Sequence, residues 1–169
     1  MPDREEPMVA QVSVELPAPE DAVRFGRSLG RVLDAGDLVL LAGPLGAGKT
    51  TLARGVADGM GVSGRVSSPT FVLARVHPAG GAGVSLVHVD AYRLGGDLSQ
   101  LDDLDLDTDL EHAAVLVEWG EGMAEHLSED HLVVRLERRD DDVRVATLEP
   151  HGSWTARVAG ASFAGEPRP

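Results

Sequence analysis

The chain has 169 residues, the size of one compact domain that can bury a core, and its 15 basic against 28 acidic side chains leave a net charge of −13. That balance repels a phosphate backbone and argues against direct binding of nucleic acid. With no cysteine, disulfide staples, zinc knuckles, iron–sulfur clusters and thiol nucleophiles are all excluded.

The amino terminus, MPDREEPMVAQV, carries acids where a signal peptide needs a basic region and an apolar run. The apolar stretches fall well short of the ~18 residues that would span a bilayer. The expectation is a soluble, cytoplasmic protein with no membrane contact. One compositional detail stands apart: of the 15 basic residues, 14 are arginine and one, Lys49, is lysine. Coding bias accounts for the arginine excess but not for the position of Lys49.

Gln11 to Leu16 alternates polar and apolar residues, the period of a half-buried strand, before Pro17 and Pro19. From Glu20, Ala22, Phe25, Leu29, Val32 and Leu33 recur at helical spacing, with arginines on the other face. Gly36 is placed to end a helix of about four turns. Asp37 then opens LVLLAG, a short continuous apolar run that reads as a buried strand. A glycine-rich turn leads into a helical stretch from Lys49 to Met60. Val72 to Val76, Val84 to Val89, Ala113 to Val117 and Leu132 to Leu136 read as further strands, with residues 77–83 (HPAGGAG) as a hairpin turn. Val143 to Leu148, reached through Asp140, Asp141 and Asp142, reads as the last strand of another hairpin.

Early alternation of strands and helices with late hairpins predicts an α/β fold with a mixed sheet. GPLGAGKT at Gly43 to Thr50, a match to G-x-x-x-x-G-K-[ST] after the second strand, makes the expected type a three-layered, P-loop NTPase-like fold with a mainly parallel sheet. Residues 1–150 are expected to form the single domain. The tail, 151–169, has only weak pattern and is expected to be partly disordered. Residues 95–112 hold seven acids, Asp97, Asp102, Asp103, Asp105, Asp107, Asp109 and Glu111, without a Lys or Arg. This segment reads as a solvated acidic surface, with a docking surface for a basic partner as the alternative. It lacks the glycine and terminal glutamate of an EF-hand.

Gly43 to Thr50, GPLGAGKT, matches G-x-x-x-x-G-K-[ST] between a strand and a helix, the context a phosphate-binding loop requires. Lys49 fills the lysine slot. Gly43, Gly46 and Gly48 remove Cβ atoms so that backbone N–H groups, those of Leu45 and Ala47 among them, can surround a polyphosphate beside the positive end of the helix. The Lys49 ammonium is expected to reach the β and γ phosphates of a nucleotide, the Thr50 hydroxyl a Mg²⁺ ion, and Thr51 the α phosphate. That ion needs carboxylate support from a neighbouring strand end, and two residues offer it: Asp90 ends LVHVD and Glu118 ends AAVLVE.

Three more strings follow the loop in order: Ser68-Pro69-Thr70-Phe71, His88-Val89-Asp90-Ala91-Tyr92-Arg93-Leu94, and Glu118-Trp119. With GPLGAGKTT they closely resemble the TsaE family over roughly Leu16 to Glu149. These are small bacterial ATPases that serve a multi-subunit enzyme modifying the tRNA adenosine next to the anticodon with a threonylcarbamoyl group. The resemblance implies ATP hydrolysis within such a complex, whose protein subunits would be the partners. It implies Lys49 and Thr50 on phosphates and Mg²⁺, Glu118 as the Walker B carboxylate and Asp90 assisting near the γ phosphate. Ser68 and Thr70 would belong to a nucleotide-sensing loop, and Trp119 would lie beside the site. Pro69 denies Ser68 the helical region, which suits a stiffened turn. Phe71 and Tyr92 read as core residues, and His88 as a hydrogen-bonded strand residue rather than a base. Three positions depart from the family: Pro44 replaces an acid, Ala22 a threonine near the adenine side, and His77 an aromatic.

Two other classes share a phosphate loop: a small-molecule kinase, for which Arg65, Arg75 and Arg93 are the available arginines, and a non-catalytic ATP-binding switch. A GTPase is disfavoured because N-K-x-D needs a second lysine.

Overall fold

In a computed structural model, the chain is described over residues 12–44, 47–62, 74–79, 83–90, 106–118 and 124–160. Val12–Leu16 forms β1, Pro19–Gly30 α1, Leu38–Ala42 β2, Lys49–Met60 α2, Ala74–His77 β3 and Ser85–Asp90 β4. Leu106–Leu110 forms α3, Ala113–Glu118 β5, His131–Arg138 β6, Arg144–His151 β7 and Trp154–Gly160 α4, with a 3₁₀ turn at Glu125–Leu127.

The seven strands make one sheet in the order β1-β7-β6-β2-β5-β4-β3. Its four central strands, β6, β2, β5 and β4, run parallel, and antiparallel pairings add β7 and β1 at one edge and β3 at the other. All five residues of β2 are buried, which explains its unbroken apolar run: both faces of a central parallel strand are covered. Val39 and Leu41 join the core beneath α1, α2 and α4, while Leu38, Leu40 and Ala42 join the core on the opposite face with Leu106 of α3. This is the expected layered α/β architecture with a mixed sheet.

Helix α1 carries its apolar face as expected, with Ala22, Phe25 and Leu29 buried, but it ends at Gly30 rather than near Gly36. Asp37 is the cause. Its Oδ2 accepts the Asp34 N–H at 2.7 Å while the Asp37 N–H donates to the Asp34 carbonyl at 3.1 Å, a turn that outcompetes further helix. Val32 is consequently 37% exposed, although its spacing placed it on the buried face. Gly36, with φ of +93°, belongs to this turn.

Helices α1 and α2 run side by side and touch through backbone. A Cβ on Gly26 or Gly30 of α1 would stand 2.4 and 2.2 Å from the carbonyl oxygens of Leu52 and Val56 on α2. Reciprocally, one on Gly55 or Gly59 would stand 2.3 and 2.2 Å from those of Val23 and Arg27 on α1. No side chain fits in this seam.

The β6–β7 hairpin forms as read, with Asp142 at φ of +66° in its turn, but β7 continues to His151. The expected domain boundary at residue 150 therefore falls inside a strand. Beyond it, α4 buries Trp154 and Val158 in the main core. Arg157 grips both Asp37 oxygens at 2.7 and 2.9 Å and lies 3.7 Å over the Trp154 ring. Two apolar residues one helical turn apart are too few to show a period in sequence. Residues 151–160 are thus part of the domain. Strand β3 begins at Ala74, and residues 72 and 73 lie outside the described residues. The acidic segment, read as surface throughout, includes helix α3 with Leu106 buried, while residues 95–105 lie outside the described residues.

Candidate nucleotide site

Strand β2 delivers the chain to Gly43 at the carboxyl edge of the parallel strands, where open α/β sheets bind ligands. Gly43 has φ of +140°, and a Cβ there would lie 2.3 Å from the Leu136 carbonyl oxygen of β6, so the loop passes too close to its neighbour for any side chain. At its far end Gly48, with φ of +101°, is the N-cap of α2. It supplies no side-chain cap, and no acid occupies the first helical turn, so the positive end of α2 carries no compensating carboxylate of its own.

Lys49 is buried at 6% exposure. Its Nζ donates to the carbonyl of Gly43 and, at 3.3 Å, to that of Pro44, and the Ala47 N–H also donates to Pro44, at 3.2 Å. Burial pushes the ammonium pKa below the ordinary lysine range, and the nearby charges of Glu118 and Asp90 partly oppose that shift. Lysine and both predicted carboxylates thus share one electrostatic neighbourhood. A phosphate would replace two neutral carbonyls as partner of Lys49, and a charged acceptor binds an ammonium more strongly.

Asp90 and Glu118 are register partners across the parallel strands β4 and β5, and Glu118 also pairs in register with Leu41 of β2. Glu118 is 5% exposed and its Oε2 lies 2.6 Å from Nε2 of the fully buried His88. His88 is therefore a hydrogen-bonded strand residue, as its sequence context suggested, and its partner is Glu118. Thr50 and Thr51 follow Lys49 on the first turn of α2, both partly buried. Among the described residues no three His, Cys, Asp or Glu side chains gather to hold a metal by themselves. The donors present are hard oxygens, and such a set suits Mg²⁺, which takes few protein ligands and completes its shell with water and phosphate.

Beside the loop a cleft opens between the β1–α1 connection and α2. Leu16, Pro17, Ala18, Pro19 and Ala22 form its apolar wall, with Ala47, Gly48 and Thr51 on the loop side and Arg144 completing the lining. Ala22, which stands where the family has a threonine, lines this cleft together with Pro19. Arg144 was missed because only the pairing of β7 with β1, opposite Leu16, brings it there. Leu45, Gly46, Ser68, Thr70 and Trp119, with Phe71 and Tyr92, lie outside the described residues.

Residues 16–146 match the sequence profile of a family described as threonylcarbamoyl adenosine biosynthesis protein TsaE. A tRNA threonylcarbamoyladenosine biosynthesis protein TsaE of Streptomyces coelicolor is 53% identical over 83% of this chain and 98% of its own length. One from Mycobacterium tuberculosis is 58% identical over 78% of this chain and 83% of its own. In fold, the crystal structure of Bacillus subtilis YdiB is similar, with a TM-score of 0.73 and 28% identity, covering 89% of this chain and 92% of that one.

Proposed function

The chain belongs to the TsaE family of tRNA threonylcarbamoyladenosine biosynthesis proteins, and from that premise we propose that it hydrolyses Mg-ATP in the service of the threonylcarbamoyl transferase complex. The observation that carries this reading is the meeting of Lys49, at the uncapped start of α2, with the carboxylates of Asp90 and Glu118 at adjacent strand ends.

In this reading the backbone N–H groups of the loop and the positive end of α2 hold the polyphosphate, with Lys49 on the β and γ phosphates. Thr50 and Glu118 would hold Mg²⁺, which would supply positive charge to offset that of a transferred phosphoryl group. Asp90 lies beside Glu118, near the γ phosphate. The apolar cleft takes the base, with Thr51 toward the α phosphate. By resemblance to the family, Ser68 and Thr70 would sense the γ phosphate and Trp119 would lie beside it.

Partner subunits supply the RNA surface, because at net charge −13 the chain's 15 basic side chains are outnumbered by 28 acids that repel a phosphate backbone. The test combines this chain, its native partners and ATP. Free phosphate released in a Lys49-dependent manner supports the proposal. A phosphorylated small molecule would make the protein a kinase, and nucleotide-dependent association without turnover would make it a switch. Tight, salt-sensitive binding of free tRNA to the isolated chain would contradict the division of labour.

A further inference from the structure

We infer that His88 is a positioning residue, which orients the Glu118 carboxylate toward the metal and nucleotide. The inference rests on the Mg-ATP reading above and deepens it. His88 and Asp90 alternate onto the same face of β4, and their register partners Leu116 and Glu118 onto the same face of β5. The rest of this face is apolar near His88: Leu86, Ala114 and Leu116 all belong to the core beneath α2. A fully buried imidazole there gives up hydration that an aliphatic side chain would not need, so packing alone does not account for it.

Its polar contact is specific. Nε2 lies 2.6 Å from Glu118 Oε2, while Nδ1 has no hydrogen-bond partner among the described residues. Two lone pairs would repel at that distance, so a proton lies between the two atoms and bonds them. The last torsion of a glutamate is broad and would let the carboxylate plane swing. The bond to His88 removes that freedom and commits Oε2, so Oε1 is the oxygen offered to a metal. Carboxylates that bind metals generally need such an outer partner, and losing it typically weakens metal binding about 10–100-fold. His88 itself is 0% exposed, with Nε2 engaged, and so does not act as a base on water.

The test uses calorimetry of ATP binding to the full chain, in EDTA and then across a Mg²⁺ titration, for wild type, His88→Leu, His88→Asn and His88→Gln. A glutamine amide reaches where Nε2 stands, whereas an asparagine amide reaches only the Nδ1 position. The expected result is that His88→Leu and His88→Asn need about 10–100-fold more Mg²⁺ for half-maximal effect, that His88→Gln recovers most of the loss, and that affinity in EDTA stays within about twofold throughout. A purely structural role would instead weaken binding equally with and without Mg²⁺. Should His88→Leu fail to fold, the Asn and Gln variants decide alone. Wild-type Mg²⁺ dependence in His88→Asn overturns the inference and leaves the ATP reading standing, whereas wild-type binding that ignores Mg²⁺ overturns that reading itself.

Discussion

Asp90 and Glu118 stand opposite each other in register at the carboxyl ends of β4 and β5, yet they are not equivalent. Glu118 is buried, adjoins β2 and is tied to His88, while Asp90 is one strand further from the phosphate loop and partly exposed. Glu118→Gln is therefore expected to lose most of the Mg²⁺ dependence of nucleotide binding, and Asp90→Asn to keep it with slower turnover. Titration of Mg²⁺ against both variants checks this, and the reverse pattern exchanges the two assignments.

Lys49→Ala is expected to abolish hydrolysis while leaving the melting temperature near that of wild type, since it removes a buried charge along with two hydrogen bonds. The pH dependence carries a definite sign. Because burial lowers the folded-state pKa of Lys49, the unfolded chain holds that proton more tightly. Wild type should therefore gain stability relative to Lys49→Met as pH rises from the lowered value toward the ordinary lysine value. Denaturant melts across alkaline pH measure this, and an opposite slope would refute the assignment of a desolvated lysine.

The two loop glycines separate steric from conformational demands. Gly48→Ala meets no atom within 4 Å and bears only the strain of a left-handed residue, about 1–2 kcal/mol. Gly43→Ala adds a collision with the Leu136 carbonyl, and a total of roughly 3–5 kcal/mol is expected. Chemical denaturation of both variants tests the ranking, and equal losses would show that the approach of the loop to β6 is not constraining.

Helix α4 is expected to be integral to stability. Trp154→Ala should cost about 3–5 kcal/mol, because the ring is fully buried and also underlies Arg157. Ending the chain after Pro150 removes both, and leaves the mostly buried Asp37 without its bidentate partner. A truncated chain that melts with wild type would contradict the packing described.

The phosphate loop, its flanking strand and helix, and the strands LVHVD and AAVLVE with their closing carboxylates were legible because each is local: a motif, a short apolar run, a terminal acid. What escaped notice depends on distant segments. Arg144 reaches the cleft through the pairing of β7 with β1, and α4 is too short to display a period. Helix α1 stops early because a carboxylate seven residues beyond its end, Asp37, closes a turn, an effect no helical periodicity carries. The glycines of α1 and α2 did carry a signal, the shared i, i+4 spacing of Gly26 with Gly30 and Gly55 with Gly59, but its meaning requires knowing that the helices meet.

That seam has a consequence for the ligand. Helix α1 begins at the apolar cleft and α2 at the phosphate loop, and the two are locked together by backbone rather than by side chains that could change rotamer. The span between cleft and loop is thus a fixed gauge. A ligand must match its length to touch both ends at once, and widening the seam by a single methyl, as in Gly30→Ala, would reset the gauge without altering any group that touches the ligand.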